Sequence, residues 1–130
     1  MKYGQARLDI SDEMDLVADR ARYLTDREKD VRVSGTEGID AVLRRHRLDA
    51  LMFLPNAGVS TAAKAGYPTV IVPFGFVPNA ARPFPEGFAA KPSPLGIRFT
   101  GTACSEPRLI EIAYAFEQAT KRRIPPHEFP

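Results

Sequence analysis

The sequence predicts an α/β fold, a small mixed sheet of about three strands with flanking helices. Residues 51–54 and 69–74 are short apolar runs, and between them lies a small-residue segment that ends in Gly66-Tyr67-Pro68. Residues 95–100 form a third, alternating run after a proline-rich stretch. Apolar residues at helical spacing precede and follow this group. Short apolar or alternating runs bounded by glycine and proline read as strands, and recurrence at i, i+3 and i+4 reads as helix.

Residues 2–33 are mostly polar. Ser11, followed by Asp12, Glu13 and Asp15, is placed to start a helix, because acids suit the positive first turn. Met14, Val17, Ala18, Ala21 and Leu24 continue it, and the charge run 26–30 predicts a break before Arg27. Residues 1–33 are thus expected to be a helical lead-in arm that needs a surface to lie on, with residues 34–130 as the domain. Ser34 and Glu37 fit a capping box. Ile39, Val42, Leu43 and His46 then share one apolar face of a helix expected to end near His46.

Residues 50–54 read as a strand covered on both faces. Asn56 or Gly58 would cap a short helix through Lys64, with Gly66 in the left-handed position at its end. Residues 69–72 are β-branched throughout and make the strongest strand, stopped by Pro73 and Gly75. Strand, short helix and strand form a βαβ-like unit. Residues 75–94 contain Pro78, Pro83, Pro85, Pro92 and Pro94. They read either as a surface connection or as a lid over a neighbouring pocket. In 95–100, Ile97 and Phe99 face one way, Arg98 and Thr100 the other. Ser105 is placed to cap the last helix, with Glu106 and Pro107 in its first turn. Leu109, Ile112, Ala113, Phe116 and Ala119 give it a broad apolar face. Lys121-Arg122-Arg123 closes it, and Pro125-Pro126 prevents continuation.

A chain of 130 residues suffices for one domain with a real core. No run approaches the roughly 20 apolar residues that span a bilayer, and the first residues lack the apolar core of a signal peptide. A cytoplasmic location follows as the expectation, without a membrane partner. Net charge is only +2. The basic clusters Arg44-Arg45-His46-Arg47 and Lys121-Arg122-Arg123 sit where helix C-termini favour cations, so no nucleic-acid partner is expected. The single cysteine, Cys104, has no internal disulfide partner and reads as a small apolar residue at a strand end. Neither a phosphate-binding glycine loop nor a metal-ligand spacing occurs, so no cofactor and no metal are expected.

A hydrolase needs a nucleophile, a base and an oxyanion donor. Ser11, Ser34 and Ser105 read as helix caps, and no serine sits in a glycine-flanked nucleophile elbow. His46 reads as a helix-end residue, and His127 lies in a proline-rich tail. Lys64 is either a helix-end cation or, if desolvated, a base. No complete catalytic set emerges, so no catalytic residue is expected in this sequence.

The stretches Leu48-Asp49-Ala50-Leu51, Ala62-Ala63-Lys64-Ala65-Gly66-Tyr67-Pro68, 70–73 with Gly75, Pro94-Leu95-Gly96-Ile97-Arg98-Phe99-Thr100-Gly101, Ser105-Glu106-Pro107 and 113–120 occur in an order that resembles the C-terminal third of amidase-signature enzymes. Gly38-Ile39-Asp40-Ala41 is similar to the family's lead-in. The resemblance covers residues 34–126 well and the first 33 more loosely. It implies a partial amidase-signature α/β/α fold, in which these strands complete a larger sheet. It also implies that the family's serine, cis-serine and lysine belong to a glycine- and serine-rich region upstream, which this sequence does not contain. Lys64 and Ser60 match none of them. Pro55, Asn56 and Phe74 are the expected substrate-pocket neighbours. The expected function is a framework and pocket wall of an amide hydrolase, inactive alone, with a small-molecule amide bound only in the complete enzyme. The alternative is an assembly module that forms a homo-oligomer or pairs with a separate amidase N-terminal chain.

Overall fold

Three strands form among the residues that this computed structural model describes, which are 6–55, 57–78, 86–87 and 91–125. They are β1 (Leu51–Phe53), β2 (Thr69–Val77) and β3 (Ser93–Thr100). The helices are α1 (Ala6–Asp12), α2 (Arg20–Val31), α3 (Asp40–His46), α4 (Val59–Ala65) and α5 (Glu106–Thr120). The sheet order is β1-β3-β2, and both pairings are antiparallel. β1 and β2 therefore run parallel with β3 between them. α4 crosses from one to the other, which makes the βαβ-like unit a split one. No helix among the described residues is long and apolar enough to cross a membrane.

The register places Met52, Phe99 and Val70 on one face, and Leu51, Thr100 and Thr69 on the other. α5 lies mainly over β2 and β3 on the first face. There Val72, Ile97 and Phe99 pack with Leu109 and Ala113, and the Phe116 ring meets Phe99 edge-on at 5.5 Å. On the second face Ile39, Leu43, Ala62 and Ala65 pack with Leu51 and Tyr67. Helices thus flank both faces, each over its own apolar cluster, but the second cluster reaches only β1, and Ile71 on that face of β2 is 58% exposed. Thr100, on the polar side of the alternation, is nevertheless buried, and its hydroxyl is paired with that of Thr69 at 2.8 Å.

Several boundaries differ from expectation. β2 does not stop at Pro73 but continues to Val77. It is an edge strand, where a missing N–H is tolerated, and a bulge absorbs Phe74: Pro73 pairs with Gly96 and Gly75 with Leu95. Gly96 is required by close approach, since a Cβ there would lie 2.7 Å from Ile71 Cγ2. β1 is shorter than 50–54 and is not covered on both faces. Met52 is 60% and Leu54 61% exposed, because α5 is centred on the other two strands.

The capping box at Ser34 and Glu37 does not start a helix. α2 passes through a π-helical stretch, Arg32–Ile39, directly into α3. Ser34 is buried, and Glu37 meets Arg32 at 2.7 Å, the i, i+5 pairing that a π turn stacks. The buried Gly35 lies under Tyr67, where a Cβ would come 3.1 Å from the phenol oxygen. Val42 and His46, expected on the buried face, are exposed, and Ile39 and Leu43 alone of that set are buried.

The arm also differs. Ser11 lies inside α1 rather than ahead of a helix. The chain breaks between α1 and α2, where the Asp15 carboxylate accepts the N–H groups of Val17 at 2.9 Å and Ala18 at 3.0 Å. Those bonds hold the Asp15 carboxyl below the usual range. No break occurs before Arg27, because the charge run is docked. The Arg27 guanidinium donates to the Lys64 carbonyl, and the Lys64 ammonium meets Asp30 at 2.9 Å. At the other end, Ser105 occupies the cap position of α5, but its hydroxyl donates to the Thr102 carbonyl at 2.7 Å instead of receiving a helix N–H. Ala119, expected on the apolar face, is exposed.

Leu109 is fully buried between α5 and the sheet, whereas its neighbour Ile110 is 60% exposed. Leu109→Ala should lower the unfolding free energy by about 2–5 kcal/mol, and Ile110→Ala should change it by at most about 0.5 kcal/mol. Urea denaturation of the two variants compares them directly.

Candidate functional site

Among the described residues, the most connected polar group is centred on Asp40, the first residue of α3. Gly66 takes the left-handed conformation at φ 76° that ends α4, as its position predicts. The next residue, Tyr67, is thereby turned toward α3. Its hydroxyl donates to Asp40 Oδ2 at 2.7 Å, and the Thr102 hydroxyl donates to Oδ1 at 2.7 Å. Arg44 Nε donates to the Asp40 carbonyl at 3.2 Å. Beside this group Arg108 bridges Asp49 at 3.3 Å and Glu111 at 2.9 Å. Asp40, Arg44, Asp49, Thr102, Ser105 and Arg108, with Leu43 and Leu48, line a concavity of about 520 Å³.

The chemistry of this group is that of a structural knot. The Tyr67 phenol is held above its ordinary value, first by its hydrogen bond to the Asp40 carboxylate, then by burial and by the Asp40 charge; Thr102 and Arg44 oppose this in part. Tyr67 is therefore a protonated donor and not a base. Both Asp40 oxygens are engaged, and the Ser105 hydroxyl gives its proton to a carbonyl, which is no activating base. What the knot does is join α3, the turn before β2 and the turn after β3.

A second concavity of about 390 Å³ lies at the sheet edge. Its floor is Ile71, Pro73, Phe76, Pro94 and Leu95, and Arg122, Arg123 and Ile124 stand beside it. It is mostly apolar and has no acid, base or nucleophile in its lining.

The expected pocket neighbours are not brought together. Pro55 is half-buried in the turn after β1, and Phe74 sits on the β2 bulge with its ring 6.2 Å from Phe116. β1 and β2 are opposite edges of the sheet, and neither residue lines the two concavities. Asn56 lies outside the described residues, as does His127. Lys64 is the helix-end cation of its two readings, paired with Asp30. Cys104 is exposed in a turn at φ 59° rather than placed as an apolar residue at a strand end. Among the described residues no group of three or more histidine, cysteine, aspartate and glutamate side chains could hold a metal. The Asp40 knot was not foreseen. Asp40 lies in the 38–41 motif and Tyr67 in the 62–68 motif, and nothing local links them.

No family model matches the chain. A probable amidase of Arabidopsis thaliana is 40% identical over 89 residues, which is 68% of this chain and 15% of that protein. A putative amidase of Arthroderma benhamiae is 38% identical over 99 residues, 74% of this chain and 17% of that protein. Among solved structures, the native peptide amidase of Stenotrophomonas maltophilia superposes with a TM-score of 0.75 at 40% identity, over 96% of this chain and 25% of its own. An amidase family protein of Bacillus anthracis gives a TM-score of 0.69 at 30% identity, over 97% of this chain and 22% of its own. The chain therefore spans about a sixth of these curated relatives and about a quarter of the solved structures.

Asp40→Asn tests the knot. With the folded phenol raised above the ordinary 10.0, the contribution of Tyr67 is fully present below about pH 10 and is lost as pH rises through the folded value. The variant should be less stable at neutral pH by about 1–3 kcal/mol. Its Tyr67 should ionise at lower pH than in the parent, read by phenolate absorbance.

Proposed function

We propose, on the premise that this chain is a fragment of an amidase-signature enzyme, that it is the C-terminal framework of an amide hydrolase. In this role it supplies three strands and part of the pocket wall, while the nucleophile and base reside on sequence outside it. The observation that carries this reading is the pairing of a high similarity with a small share. Nearly all of the chain superposes on a peptide amidase, yet it accounts for only 25% of that protein. The side chains support it. Among the described residues, the polar group around Asp40 is committed to holding segments together, and Lys64 is committed to docking α2.

The complete enzyme would cleave the C–N bond of a small-molecule amide in the cytoplasm, without a cofactor. The isolated chain has no amidase activity of its own. Its partner is a chain or segment carrying the rest of the enzyme. Edge-to-edge self-association is the less favoured route, because β1 offers only three residues and β2 is interrupted by Pro73 and a bulge. On this reading Phe74, with its exposed edge on the bulge, and Pro55 border the pocket only once that partner is in place.

The purified chain should give no turnover of a simple aryl amide. Mixing it with a separately expressed amidase portion that lacks this segment should restore hydrolysis. Turnover by the chain alone, in a preparation shown free of contaminating hydrolase, would refute the proposal.

A further inference from the structure

We propose that residues 8–24 of the arm dock on the catalytic portion of the amidase, through apolar side chains set in an acidic margin. The inference rests on the fragment reading above and names the surface by which that pairing occurs.

The arm is bare. No residue of α2 is buried. Leu8, Ile10 and Tyr23 are about three-fifths exposed, and Leu16 and Val17 are 80% and 86% exposed. Side chains of this size, gathered on one short segment, mark an interaction surface. The ties between α2 and α4 are polar and come from the far end of α2, at Arg27 and Asp30. They hold the base of the arm against the domain and leave its apolar residues free for another surface. Met14, Leu16, Asp19, Arg20 and Tyr23 enclose a concavity of about 320 Å³, wide enough to receive a side chain from such a surface.

Charge and length identify the occupant. Residues 8–24 hold five acids, Asp9, Asp12, Glu13, Asp15 and Asp19, against two bases, Arg20 and Arg22, and Arg22 already meets Asp19 at 3.9 Å. The complementary surface is therefore apolar with a basic rim. The superposition on the Stenotrophomonas maltophilia peptide amidase covers 96% of this chain, so it reaches into the arm, and it leaves three-quarters of that enzyme outside the match. That remainder is the surface the proposal assigns to the arm. Strand addition is a poorer route, since both sheet edges are short or interrupted.

The test uses the full chain, fluorescently labelled, and as probe the portion of the Stenotrophomonas maltophilia peptide amidase that lies outside the matched quarter. Titration should show saturable binding that weakens as salt rises. The double variant Leu16→Ser, Val17→Ser should bind roughly a hundredfold more weakly. Because both side chains are exposed, its circular dichroism should equal the parent's. A double variant that is folded and binds within about threefold of the parent would overturn the arm as the docking surface and leave the pairing intact. Failure of the parent chain to bind the probe would overturn the pairing, and this inference with it. A chain that instead self-associates through Leu16 and Val17, with probe binding unchanged in the variant, would also overturn it.

Discussion

The central position of β3 is the constraint on which the rest of the structure depends. β1 and β2 lie parallel, and neither pairs with the other; each exists as a strand because β3 enters between them in the opposite direction. That insertion also fixes the faces. Ile97 and Phe99 of β3 set the side that α5 must cover, and Thr100, paired with Thr69, sets the side facing α4. Gly96 lets β2 lay Ile71 across it without a clash. The strand that organises the sheet is thus the last to appear in the chain, and pairing it requires long-range closure.

This explains which parts of the fold were legible. Alternation in β3 up to the buried Thr100, the apolar stripe of α5 short of Ala119 and the left-handed Gly66 are local patterns with local causes, and they are found where the sequence places them. The end of β2 was not legible, because proline is tolerated in an edge strand and not in a central one, and edge position is decided by where β3 goes. The serine and glutamate of 34–37 make a valid local start signal, but Tyr67 packs over Gly35 and the chain continues as π-helix. There a tertiary contact overrides a cap of about 1 kcal/mol. The polar knot was invisible for a similar reason: Asp40 and Thr102 are 62 residues apart.

The two faces of the molecule play different parts. The cluster under α5, built on Leu109, Ala113, Val72, Ile97 and Phe99, is closed and self-sufficient. The cluster under α4 depends on more distant supports. Ala62 and Ala65 permit close approach of the π-helical stretch, and that stretch is held in turn by Tyr67 through Asp40 and by Arg27 and Asp30 through Lys64. Glycine and proline in the motif around residue 66 therefore serve geometry: they aim Tyr67 at α3 and set β2 on its course.

If the chain works as proposed, as a segment of a larger enzyme, it is under two demands that pull against each other. It needs a core dense enough to hold its strands, and it needs apolar surface kept available for the remainder. Here the demands are separated in space. Burial is concentrated where β2 and β3 meet α5 and where α4 meets the π-helical stretch and α3, while Leu8, Ile10, Tyr23, Leu24, Met52 and Ile71 stay exposed. The link between these regions is polar, at Arg27, Asp30 and Lys64. Exposed pairs of this kind contribute little net stability but set orientation. α2 is thus held at a defined place on the domain by polar contacts, and Leu8, Ile10, Leu16, Val17 and Tyr23 are not spent in holding it there.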